Sequence, residues 1–229
     1  SALALGVPAV AATVTAGDLP GGTGGIEYDW QIGLANHADS GSVSGNVGSK
    51  SWADPSNPGL GSFGLNGGWT HTSNWIFLSV GQDAIVTLTL SPKADVPNPA
   101  GGNYAGDLMP AFSLWSGVDN GGSDDHYYEQ GDVPHWIDDP SFAFIDHADA
   151  GGPTFTGASA SLTLFLAAGD YTLAVGGHDD VTAAHRAGYA FTASASTVPE
   201  PSTLLLAGLG LAGLGALRAG GCRDQLGTN

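Results

Sequence analysis

The sequence predicts an all-β chain: an antiparallel β-sandwich of jelly-roll type, followed by a C-terminal apolar helix. Three observations carry this expectation. Apolar residues recur with period two, as in Val86, Leu88 and Leu90 between Thr87 and Thr89, and in Leu162, Leu164 and Leu166 around Thr163 and Phe165. That is the pattern of half-buried strands. Glycine is common enough, 37 of 229 residues, to punctuate the apolar runs with turns. No long helical periodicity interrupts the body, so short strands with Gly-rich turns point to two packed sheets.

In chain order, the opening stretch 1–12 is apolar and rich in small residues. It reads as the back half of a secretory signal peptide with a cleavage site near Ala12; the alternative is a functional apolar arm. The body spans 13–197. Strands are expected at 26–34, 74–80, 84–90, 111–115, 141–145, 161–167, 171–175 and 188–195. Ala168-Gly169-Asp170 reads as a short hairpin turn between two of them. Two long loops, 35–68 and 117–140, separate the strands, and loops of that length in a compact domain are usually functional or mobile.

Charge narrows the function. The formal net charge is -17, and Glu200, Asp224, Arg218 and Arg223 cancel within 198–229, so the body carries all of it. A surface this acidic repels nucleic acid and anionic headgroups, which excludes nucleic acid as a partner. It suits divalent cations, or solubility outside the cell. The only cysteine, Cys222, lies in the tail, so the body forms no internal disulfide.

The 117–140 loop holds the best candidate chemistry. Asp119, Asn120, Asp124, Asp125 and Asp132, with Glu129, Asp138 and Asp139 nearby, offer hard oxygen donors. Calcium takes about six to eight such oxygens in flexible geometry, so these are candidate calcium ligands. The loop lacks the regular alternation and terminal Glu of an EF-hand, and a solvated acidic loop is the competing reading. His126, His135, His147, His178 and His185 lie in the second half without HxH or HExxH spacing. They read as isolated surface histidines, and a zinc or copper site would have to be assembled in space. Trp115, Tyr127, Tyr128 and Trp136 flank the same loop and suit either sugar rings or plain packing. There is no Gly-x-Ser-x-Gly elbow, no phosphate-loop Lys after the Gly-rich segment 21–25, and no carboxylate pair placed by spacing across a glycosidic bond. A non-enzymatic protein is therefore expected.

The tail, 198–229, begins with Val198-Pro199-Glu200-Pro201-Ser202, continues as an uncharged Leu/Ala/Gly run over 203–217, and meets Arg218. The prolines keep the start extended. As a helix the run would reach about 22 Å, short of a bilayer core of about 30 Å. Gly208, Ala212 and Ala216 fall four apart, a stripe that permits close helix packing. This order of features resembles the PEP-CTERM sorting signal of exported bacterial proteins. That resemblance implies recognition of Pro199, Glu200, Pro201 and Arg218 by an exosortase, transient membrane anchoring, and a place at the cell surface or in an extracellular matrix associated with biofilm and exopolysaccharide. The family usually ends in a cluster of arginines, whereas this chain has Arg218 and Arg223 and then six further residues. Residues 166–177 also resemble, faintly, the hairpin of pre-peptidase C-terminal sandwiches, which would cover 74–194.

The expected function is that of an exported, non-enzymatic structural protein that self-associates into filaments through its apolar ends. The alternative is a calcium- or carbohydrate-binding module with extracellular polysaccharide as its partner.

Overall fold

The computed structural model describes residues 11–20, 26–52, 72–118, 143–150, 156–178 and 185–198. The chain divides into two compact units, Ser1–Thr197 and Val198–Asn229. The expected helix at 203–217, with Gly208, Ala212 and Ala216, lies outside the described residues.

Every strand among the described residues belongs to the first unit. In order they are β1 (Thr13–Ala16), β2 (Trp30–Leu34), β3 (Ser40–Gly48), β4 (Asn74–Val80), β5 (Ala84–Pro92), β6 (Pro110–Ser116), β7 (Ala143–Asp149), β8 (Ala160–Leu166), β9 (Gly169–Gly177) and β10 (Arg186–Ser196). They form a six-stranded sheet, β1-β2-β4-β9-β6-β7, and a four-stranded sheet, β3-β10-β5-β8. Neighbours run antiparallel except β2 and β4, which pair in parallel from Trp30↔Ile76 to Leu34↔Val80. The result is the all-β sandwich that the alternating runs predict.

The main core lies between the sheets. Val86, Leu88 and Leu90 of β5 are fully buried with Phe191 of β10, opposite Ile76, Leu78, Phe112, Leu114, Leu173 and Val175 of the larger sheet. Phe112 and Phe191 meet edge to face, centroids 5.9 Å apart. A second cluster, Ile26, Tyr28, Trp75, Trp115 and Ala174, covers the far face of the six-stranded sheet. Both faces of that sheet are therefore dry near its centre, which is why β6 and β9 read as continuous apolar runs rather than alternating ones. Thr172 is fully buried there, and its hydroxyl donates to Gly117 O (2.9 Å) while accepting from the Tyr28 hydroxyl (2.7 Å).

Three sequence expectations are corrected. The 35–68 loop contains β3, which alternates but uses Gly41 and Gly45 where a large apolar residue would be expected. A Cβ on Gly45 would meet the Tyr189 ring and hydroxyl at 2.9–3.0 Å, so the small residue makes room for Tyr189. The expected 26–34 strand begins only at Trp30, because Ile26 and Tyr28 pack onto the outer face instead. Ala168-Gly169-Asp170 is not a hairpin: β8 pairs with β5, and β9 with β4 and β6. The chain there crosses from one sheet to the other, as it also does between β4 and β5, and Asp83 ties the two crossings by accepting from Ala168 N at 2.9 Å. Alternation fixes which side of a strand is buried; it does not say whether the next strand is its neighbour.

The outer face of the four-stranded sheet is polar in a regular way. Register aligns Ser42, Thr192, Thr89 and Ser161 in one row across the strands, and Ser40, Ser194, Thr87 and Thr163 in the next. Side-chain hydroxyls link Thr87 to Thr163 (3.0 Å) and Thr89 to Ser161 (3.1 Å).

Tyr189 is fully buried. Burial first, and the Asp29 carboxylate second, push its phenol well above the ordinary value of 10.0. The sign follows by linkage. The unfolded phenol loses its proton from about pH 10 while the folded one keeps it, so alkali favours the unfolded chain. The stability present below pH 10 is expected to fall above it, by up to about 1.4 kcal/mol per pH unit from this one group. Urea titrations from pH 8 to 11 on the wild type and on Tyr189→Phe check this; equal slopes in the two would contradict it.

Candidate functional site

The site is built where the chain leaves β3 and folds back over β9. Residues 49–52 run against the end of that strand: Trp52 N donates to Gly177 O (3.0 Å), and Gly177 N donates to Ser51 Oγ (3.1 Å). Ser73 Oγ donates to Ser51 O at 2.8 Å and Ser49 N to His185 O at 2.9 Å, so the segment is tied on several sides. Ser49 and Ser51 are fully buried. The approach requires Gly176 and Gly177, because a Cβ on the first would collide with Ser51 and Trp52 N, and on the second with the Ser49 backbone. This closure inserts the Trp52 indole into the protein, where it is 3% exposed.

Two imidazoles flank that indole. His178 follows the last residue of β9 and is anchored by its N–H donating to Met109 O (2.9 Å). Its ring lies 5.2 Å from Trp52, centroid to centroid, in an edge-on arrangement. His147 comes from β7, opposite Ser113 of β6, and its ring lies 5.5 Å from Trp52 with the planes tilted by 31°. A bulge in β7 sets its direction. The register skips Ile145, so Phe144 faces Trp115 while Asp146 and His147 face Leu114 and Ser113. The extra residue resets the alternation and puts Phe144 and His147, three apart, on one face, where their rings stack at 6.3 Å. Phe144 in turn packs edge-on to Trp115 at 5.2 Å. A continuous line of rings results: Trp115, Phe144, His147, Trp52, His178.

Two nitrogens in this line are orphans. Trp52 Nε1 and His178 Nδ1 are both buried and have no hydrogen-bond partner among the described residues. Leaving such a group unsatisfied typically costs about 1–3 kcal/mol, so an unpaired pair in one cluster marks a place where a ligand atom would be favourable. His147 Nε2 stands 4.0 Å from Asp149 Oδ2, with both side chains about 30% exposed. The cluster is thus buried at Trp52 and open to solvent at His147. Among the described residues no group of three or more His, Cys, Asp or Glu converges on one point.

Of the residues singled out from the sequence, His147 and His178 both pack on the Trp52 indole although they read as isolated. His185 instead pairs with Asp107 at 3.0 Å. Trp115 is fully buried in the outer cluster, with Nε1 donating to Ser113 Oγ at 3.0 Å. Asp119, Asn120, Asp124, Asp125 and Asp132, like His126, His135, Tyr127, Tyr128 and Trp136, lie outside the described residues, as do Pro199, Glu200, Pro201 and Arg218. Trp52 was missed by sequence reasoning. The available signal was a large aromatic in a Gly/Ser-rich stretch, together with the Gly176-Gly177 pair that ends a strand.

Residues 197–219 match the PEP-CTERM protein-sorting motif. The motif covers the triplet and the apolar run, and it marks the chain as an exported protein of the cell surface. No curated protein matches the chain. Among solved structures, CorA, a surface-associated copper-binding protein important in Methylomicrobium album BG8 copper acquisition, is 17% identical with a TM-score of 0.40, covering 67% of this chain and 92% of its own. The secreted protein MopE of Methylococcus capsulatus, in which an oxidized tryptophan facilitates copper binding, is 15% identical with a TM-score of 0.39, covering 80% and 94%. The pre-peptidase C-terminal domain of a Bacillus anthracis collagenase is 10% identical with a TM-score of 0.33, covering 72% and 92%.

Proposed function

We propose that this exported surface protein is a non-enzymatic metal-binding sandwich that binds one copper ion at the His147–Trp52–His178 cluster. One observation carries the proposal: two imidazoles flank a single buried indole, and the buried His178 Nδ1 has no partner among the described residues. A neutral imidazole nitrogen has a lone pair to give, and a bound metal would satisfy it. The donors favour copper over the alternatives. Imidazole suits copper, zinc, nickel and iron, and divalent affinity peaks at copper. Structural zinc takes four ligands and catalytic zinc three from the protein, whereas monovalent copper is content with two nitrogens. The aromatic walls formed by Trp52 and Phe144 would restrict water at the ion and favour the lower-charged state. Calcium, with its demand for many hard oxygens, is chemically foreign to this cluster.

The test is titration of the full chain with copper(I) under reducing conditions, against a chromophoric competitor, with tryptophan fluorescence as a second readout. One ion per chain is expected, with quenching of the indole emission and a higher Tm, since a ligand selective for the folded state stabilises it. Even outer-shell partners are worth about 10–100-fold in metal affinity, so His147→Ala and His178→Ala should each weaken binding by more than about 100-fold. Binding left intact in both variants, or no copper retained by the wild type, would overturn the proposal.

A further inference from the structure

We infer that the outer face of the four-stranded sheet is a binding face for an extended, uncharged polysaccharide that lies across the strands. Its two rows carry a hydroxyl on every strand, eight side chains without a charge, on a body whose formal charge is -17. Ser and Thr are ordinary on a solvated strand face. What sets this face apart is the continuity of both rows over all four strands and the direction of the protons in the first.

The hydrogen bonds define what the face offers. Each hydroxyl has one proton and two lone pairs. Ser42 Oγ donates to Phe191 O (3.1 Å) and Ser161 Oγ donates to Leu88 O (3.2 Å). Their protons being used, the links to Thr192 (3.4 Å) and Thr89 (3.1 Å) must run from the threonines to the serines. The whole first row therefore spends its donors within the protein and turns lone pairs outward. An acceptor row needs a partner rich in donors, and it repels anions. The hydroxyls of a neutral sugar chain meet that need. An anionic polymer does not, because the first row rejects it locally and the net charge rejects it at a distance.

Spacing selects an extended chain over a free sugar. Neighbouring strands lie about 4.8 Å apart, close to the length of one pyranose unit in an extended glycan. A chain laid along the row would meet one acceptor per sugar for four sugars. At the margin of the face stands Phe165, 52% exposed and one strand position beyond Thr163 on the same side of β8, an apolar platform for a further ring. The site is independent of the histidine cluster, which lies on the other sheet.

The experiment is depletion of the full chain by swollen cellulose, an insoluble neutral β-glucan, with cross-linked alginate as the anionic comparison, at low and high salt. Cellulose is expected to retain the wild type equally at both salt levels, and alginate to retain none. Thr89→Val and Thr192→Val keep β-branched side chains of similar shape at half-buried positions while removing the hydroxyls, so their combination should leave Tm unchanged and weaken retention at least tenfold. His147→Ala should bind cellulose like the wild type, which separates failure of this inference from failure of the copper site. Retention by alginate alone, no retention by cellulose, or undiminished retention of the folded double variant would each overturn it.

Discussion

Phe112→Ala and Phe191→Ala are each expected to cost about 3–5 kcal/mol of stability, as deletion of a large buried ring does. Both rings are fully buried, and they come from opposite sheets. Neither sheet can close over the void without bending strands that are held on both sides: Phe112 lies on β6, between β7 and β9, and Phe191 on β10, between β3 and β5. The edge-to-face contact adds its own share, so a double-mutant cycle should return about 0.5–1.5 kcal/mol of coupling. Equilibrium urea unfolding measures all of these. Single losses below about 1 kcal/mol would mean that the core collapses readily, against the close packing expected of protein interiors.

Gly176→Ala and Gly177→Ala should destabilise by about 1–3 kcal/mol, the usual cost of forcing extra atoms into a packed place. Their larger effect falls on the metal site. The atoms in the way at Gly177 are backbone atoms of Ser49, and at Gly176 they include Trp52 N, so relief requires the 49–52 segment to lift. Lifting it carries the indole away from both imidazoles. Copper affinity should therefore drop at least tenfold in variants that still fold. Gly33→Ala is the control, since its added Cβ would meet Thr13 at an ordinary 3.6 Å. If all three substitutions behave alike, the close approach over β9 has no special part in forming the site.

The sandwich was legible because burial on one face leaves a period of two, clearest in β5 and β8. It faded where the sheet is covered twice. The outer covering by Ile26 and Tyr28 turned a stretch that reads as strand into a packed coil, since apolar content alone does not distinguish the two. β3 was hidden for the opposite reason, with glycine filling inward positions so that Tyr189 fits. The order of strands was not legible at all: nothing in Leu166 or Tyr171 reveals that one faces the core from one sheet and the other from the opposite sheet. The histidines illustrate the same limit. His147 and His178 are 31 positions apart and reach the same indole only because β7 and β9 both pair with β6 and because a bulge redirects one of them. Trp52 reaches them from across the chain through a glycine pair. The tail was legible outright, because a sorting motif is read by another protein as linear sequence.

The place of β10 has a consequence for export. This last strand is an interior member of its sheet, bonded to β3 on one side and β5 on the other. Until residue 196 is available, β3 has no partner in that sheet, and the β5–β8 pair presents a bare edge. Contacts this distant in sequence also form slowly. In a chain that emerges N-terminus first, the four-stranded sheet thus stays incomplete until the residues directly preceding the 197–219 motif have appeared. Completion of that sheet and presentation of the sorting signal therefore fall close together along the chain.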